Sequence, residues 1–189
     1  MKKTLLFIAF AFVGIIANAQ KIEEADFVGV VKAFKSNDPD SIAIPLERSV
    51  TRVVGKATSS KIWWGIGSTR LHMDISEAHS SCVLNSRETY DFVVRVANNN
   101  YEPQSQVSLF EVKSKSKNRR GELGTVTKFD GKLNPSTIPD VIPIEGKKFG
   151  KSSYIIRLPK LTPGEYCVFV SNPDQANSTS IIVYTFRLE

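Results

Sequence analysis

The chain is poor in the residues from which catalytic and metal motifs are usually assembled. It has two cysteines, Cys82 and Cys167, and two histidines, His72 and His79. Neither pair sits in C-x-x-C or H-E-x-x-H spacing, which excludes a dithiol redox motif and a zincin helix. No serine stands in G-x-S-x-G, so a nucleophile elbow is excluded; only a triad drawn from distant residues stays open. Asp38 and Asp40 flank Pro39 in one turn, but they offer too few oxygens for a calcium loop. No internal repeat is present, which excludes a solenoid or propeller. After residue 19 there is no apolar run of about 18 or more residues, so no spanning helix is expected in the rest of the chain. The basic excess is modest, 25 Lys and Arg against 19 Asp and Glu. The basic run has no interleaved aromatics, and nucleic acid is not an expected partner. Nothing in the chain calls for a cofactor.

What is present begins with a targeting segment. Lys2 and Lys3 precede an almost wholly apolar stretch over 5–16, and Ala17-Asn18-Ala19 fits a small-x-small cleavage site. Residues 1–19 therefore read as a signal peptide, with Gln20 as the mature N-terminus. Gln in that position resembles exported proteins of the Bacteroidota. No Cys follows the cut to carry a lipid. Removing 19 of 189 residues leaves 170, and removing Lys2 and Lys3 takes the formal charge from +6 to +4. That length suits one domain with its own core. The expected location is the periplasm or the exterior. The expected division is a leader or first strand over 20–40 and a β-domain over 41–189.

The mature region is punctuated at strand length. Residues 161–171, LTPGEYCVFVS, open on the Pro163-Gly164 turn and alternate Tyr166, Val168 and Val170 with Cys167 and Phe169. Both faces are apolar, as in a strand covered on both sides. TYDFVVRVA (89–97) and SIIVYTFRL (180–188) are equally clear strands. Residues 71, 73 and 75 alternate with His72 and Asp74, a half-buried strand with a polar side. Residues 21–33 suit a short helix or a strand, 123–129 a shorter strand, and 113–122 a charged, soft connection. The absence of a long helix and the regular turns predict an all-β, antiparallel β-sandwich of about 7–10 strands.

The Leu-x-Pro-Gly turn leading into Tyr166 resembles the late turn and strand of immunoglobulin-like and fibronectin-type sandwiches. The resemblance covers about eleven residues, and it implies that Tyr166 is a corner clamp with a packed ring and a hydroxyl bonded to backbone. The Cys-Trp-Cys order of true immunoglobulin domains is missing, because Trp63 and Trp64 precede Cys82. The resemblance carries architecture and no binding residue.

Function has to come from scattered features. In an oxidising compartment Cys82 and Cys167 can form a disulfide worth roughly 4 kcal/mol by loop-closure entropy; two separately buried thiols are the alternative. Trp63 and Trp64 point opposite ways on a strand, so one of them is a candidate sugar-stacking platform, while packing in the core or under a loop is the plainer reading. Lys113, Lys115 and Lys117 share a face if extended, and with Arg119 and Arg120 they suit an anionic glycan or guard a sheet edge. Lys147, Lys148 and Lys151 form a second such group. His72, Asp74, Glu77 and His79 could meet in a metal or general-base site, although His72 and Asp74 occupy the solvated side of a strand. Glu165 is accounted for by its turn. The reading that follows is an exported, non-catalytic binding or structural protein of the cell envelope, with a glycan or another envelope protein as partner. The alternatives are a carbohydrate-binding module using Trp63 or Trp64, and a secreted hydrolase whose histidine and carboxylate meet only in space.

Overall fold

The structure, a computed structural model, describes residues 22–38, 40–57, 68–127, 133–134, 141–171 and 180–189. Residues 1–19, read as a signal peptide from the sequence, and Trp63 and Trp64 lie outside the described residues. The elements in chain order are β1 (Val31–Lys35), β2 (Ile44–Pro45), β3 (Glu47–Ala57), β4 (Ser68–Ser76), β5 (Val83–Leu84), β6 (Tyr90–Arg95), a one-turn α1 (Pro103–Gln106), β7 (Val107–Ser114), β8 (Asn118–Thr127), β9 (Leu133–Asn134), β10 (Glu145–Phe149), β11 (Ser153–Arg157), β12 (Gly164–Val170) and β13 (Ser180–Leu188). No helix among the described residues is long and apolar enough to cross a membrane. The chain is all-β, as its alternation predicts, and two sheets face each other.

The sheets are not an open sandwich. One is five-stranded and antiparallel in the order β10-β11-β6-β1-β2. In the other, β12 pairs with β7 and with β13, β13 with β3, β3 with β4, β4 with β8, and β8 returns to β7 through Lys113↔Arg120 and Ser114↔Arg119. The ring closes into a six-stranded barrel. The expected immunoglobulin-like sandwich is corrected on this point. The residues read as a soft connection, 113–122, form a hairpin and the start of β8, and that hairpin seals the ring. Closure removes the edges that an open sheet must guard. The five-stranded sheet keeps its edges and blunts them with the short, Pro-ended β2 and with Lys147 and Lys148 on β10.

Side-chain parity on β12 explains the two apolar faces. Tyr166, Val168 and Val170 pack with Phe92, Val94, Tyr154 and Phe186 in the core between the sheets. Cys167 turns the other way, into the barrel, with Met73, Ile75, Phe110, Val112 and Val183. The same parity breaks the expected disulfide. Cys82 belongs to the core between the sheets and Cys167 to the barrel interior, and both are free, buried thiols. Burial pushes both thiols up, Cys167 the more strongly. The Tyr166 ring stacks on Phe186 at 5.4 Å, and its hydroxyl donates to the Thr162 carbonyl at 2.7 Å.

The N-terminal segment is tied down by one carboxylate. Glu24 accepts hydrogen bonds from the N–H groups of Lys151 (3.0 Å) and Ser152 (2.9 Å) and pairs with Arg95 at 2.9 Å. Those two backbone donors, helped by Arg95, hold its carboxyl at about 2. Gly150 makes room for it: φ is +55°, and a Cβ there would stand 2.2 Å from the Glu24 carboxyl carbon. Gly150→Ala should therefore cost about 1–2 kcal/mol for the left-handed backbone alone and also expel Glu24. The sign of the pH effect follows from the depressed carboxyl. Its contribution is complete above the ordinary carboxylate range of about 4.3 and is lost as pH falls towards 2. Acid unfolding followed by circular dichroism should be shallower in Glu24→Gln through that window, while an unchanged acid limb would remove Glu24 as the tie.

Candidate active site

The inward-facing residues of the barrel change character at one end. Deeper in, they are mostly apolar, with Ser49 and Thr51 of β3 among them. In the last layer they are Glu47 on β3, Ser114 on β7, Arg119 on β8, Glu165 on β12 and Thr185 on β13. Arg119 is fully buried, with 0% exposure. Its guanidinium donates to the Thr185 hydroxyl at 2.8 Å, the Glu47 carboxylate at 2.5 Å, and the carbonyls of Ser76 (2.9 Å) and Glu77 (3.2 Å). It also lies 3.8 Å from Glu165 Oε2. A buried guanidinium is tolerated only when its donors are largely met, and here four of the five N–H groups make hydrogen bonds, with Glu165 adding an ion pair beside Nη1.

The loop over this end, residues 77–81, is held from beneath. Ser80 N–H donates to Glu165 Oε2 (3.0 Å), Ser81 N–H to Glu47 Oε2 (2.6 Å), and the Ser114 hydroxyl to the Ala78 carbonyl (2.6 Å). Glu77 takes φ +65°, unusual for a residue with a side chain. The tethers on both sides hold it there. Burial works to raise the Glu47 carboxyl, but Arg119 and the Ser81 N–H outweigh it and keep it below the usual carboxylate range.

What the loop presents is His79. Its Nδ1 lies 3.0 Å from Glu165 Oε1. The imidazole is 58% exposed and the carboxylate 6%. With Nδ1–H donating to the carboxylate, Nε2 faces solvent with a free lone pair. Glu47 and Glu165 share one guanidinium, so the cluster keeps an excess negative charge directly behind the ring. That arrangement holds the ring through Nδ1, as the carboxylate does in a histidine-based catalytic triad.

The other histidine is closed. His72 is 7% exposed. Its Nε2 is 3.6 Å from Asp74 Oδ2, and Asp74 is gripped on both oxygens by Arg120 at 2.8 and 3.2 Å. The expected solvated side of β4 thus holds a buried His72 beside a half-exposed Asp74–Arg120 ion pair. Met73 and Ile75 do point inward, into the barrel. His72 and His79 do not share a site, and Asp74 and Glu77 do not join His79. Among the described residues no group of three or more His, Cys, Asp or Glu is placed to hold a metal. The Asp38 carboxylate accepts the Asp40 N–H (3.0 Å) and closes its own turn.

The reading of the chain as a purely non-catalytic envelope protein is corrected by this geometry, because an exposed imidazole on a buried carboxylate is a catalytic-like arrangement that weighs against it. Of the residues picked from the sequence, Lys113, Lys115 and Lys117 are exposed around the β7–β8 hairpin. The chain reverses there, with Lys115 N–H donating to the Asn118 carbonyl at 2.7 Å, so they do not line one straight strand. Ser114, between two of them, touches the loop that carries His79. Lys113 also lines a cleft of about 510 Å³ with Phe110, Arg120, Lys160 and Tyr166. Glu47, Arg119 and Thr185 carry no local motif; the one usable signal was that Glu165 shares strand parity with Cys167 and Phe169. No family model, curated protein or solved structure matches the chain, so its activity has to be argued from the barrel end itself.

Proposed function

We propose that the protein is an exported hydrolase whose water-activating base is His79. The observation that carries this reading is the exposed imidazole with Nδ1 3.0 Å from the buried Glu165 carboxylate. His79 Nε2 takes a proton from water, and the water oxygen bonds to the acyl carbon of an ester. The bond to the leaving alkoxide then breaks, and His79 returns the proton to that oxygen. Glu165 keeps the ring in the useful tautomer and balances its charge, and Arg119 holds Glu165 in place. The three lysines around the hairpin favour an anionic substrate, so the class supported best is an ester carried on an acidic glycan of the cell envelope.

The test is hydrolysis of p-nitrophenyl acetate and of an O-acetylated acidic polysaccharide. His79→Gln should lower kcat/KM by about 10²–10⁴-fold on both. Lys115→Glu with Lys117→Glu should raise KM for the polysaccharide and leave the small ester unaffected. Equal rates for the protein and His79→Gln, on both substrates, would end the proposal.

A further inference from the structure

Where the five-stranded sheet leans on the barrel, a second cavity of about 280 Å³ opens that the His79 site does not use. One wall is the turn before β1. Gly29, at φ +88°, donates to the Arg95 carbonyl at 2.8 Å, and Val30 N–H returns to the Phe27 carbonyl at 3.3 Å. The turn lifts Phe27 and Val28 to the surface, and Phe27 is 75% exposed. The opposite wall is Val170, Ile182 and Tyr184, with Arg48 at the rim.

Two features of this cavity point the same way. Its apolar lining is left open, and the patch continues outward through exposed Val50, the register partner of Ile182. Among the described residues Arg48 is the one charged residue that lines it. Among the described residues Arg48 has no carboxylate within ion-pair distance, and it faces the hydroxyl of Tyr184, its register partner. A lone cation at the edge of an apolar hollow matches a ligand with an apolar body and one negative end. The volume lies just under the roughly 300–1,000 Å³ of ordinary ligand pockets, which suits one medium-length chain and not a two-chain lipid.

We propose that this cavity binds an amphipathic monocarboxylate, such as a medium-chain fatty acid. Its chain lies against Phe27, Val28, Val170 and Ile182, and its carboxylate is shared by the Arg48 guanidinium and the Tyr184 hydroxyl. The site is independent of the hydrolytic one.

The probes are octanoate and 1-octanol, which share a chain and differ in charge, titrated into ¹⁵N-labelled protein. Octanoate should shift the amide signals of residues 28–30 and 182–184 and bind more tightly than octanol. Arg48→Met should weaken octanoate tenfold or more, down to the octanol level, and leave octanol unchanged. Arg48→Lys should keep part of the preference, and Phe27→Ser should weaken both probes. Arg48 is exposed, so unchanged signals far from the cavity will show that the variants fold. The proposal falls if octanoate moves no signals there, if Arg48→Met binds it equally well, or if the same signals respond only to protein concentration, as self-association through the patch would produce.

Discussion

Arg119→Met is expected to lower stability by about 3–5 kcal/mol, a fall in melting temperature of roughly 6–20 °C for a chain of this size. The guanidinium donates to Glu47, Thr185 and the carbonyls of Ser76 and Glu77 at once, and removing it strips each of these acceptors of a donor at a buried site. Stranded partners, more than the lost attraction, set the size of the effect. Adding Glu47→Gln and Glu165→Gln should therefore recover part of the loss, because a neutral cluster of similar volume escapes the penalty of unpaired buried charge. No recovery in the triple variant would show that the Ser76 and Glu77 carbonyls, not the carboxylates, depend on Arg119.

The pH dependence gives an independent check. In the native protein Glu47 is held below the usual range, so its contribution is present above about 4.3 and fades as pH falls. Without Arg119, burial acts on that carboxyl with less to oppose it, and protonation relieves the stranded charge. The stability gap between native protein and Arg119→Met should thus narrow as pH drops below about 5. Denaturant titrations at neutral pH and near pH 4 would read it directly.

Local pattern carried the strands and missed the closure. Period-two alternation located β4, β6, β12 and β13, and the doubly apolar face of β12 already required cover on both sides. Whether the cover is a second open sheet or the far wall of a barrel depends on the pairings of β7 with β12 and of β3 with β13, which join residues far apart in sequence, and on the β7–β8 hairpin that seals the ring. The charged run at 113–122 looked like a solvated connection because Lys113, Lys115 and Lys117 dominate it. Arg119 is the exception hidden inside it, and its burial is legible only once Glu47 and Glu165 are brought round the ring. The cysteines misled for a related reason: both sit in apolar segments, but a one-residue change of parity decides which core each enters. His79 had no signal of its own, since its partner lies 86 positions away.

Phe186→Ala is expected to be comparably damaging, at about 3–5 kcal/mol, for an unrelated reason. Phe186 is fully buried on β13, with its ring edge-on to Phe92 at 5.3 Å and stacked on Tyr166 at 5.4 Å. Phe92 belongs to the five-stranded sheet and Tyr166 to the barrel, so the ring joins the two layers. Phe186→Leu keeps most of the volume and should cost less than about 1.5 kcal/mol. The cost of Phe186→Ala and Tyr166→Ala together should differ from the sum of the single costs, since they share a cavity. The parity of β13 separates this defect from the barrel end: Thr185 turns towards Arg119, while Phe186 turns away into the core between the sheets. At a temperature where each variant is folded, Phe186→Ala should hydrolyse esters at the native rate, and Arg119→Met, which loosens Glu165 and the loop bearing His79, should not. If both lose activity equally at matched stability, the barrel end responds to general loosening of the fold, and Arg119 has no specific part in holding Glu165 behind His79.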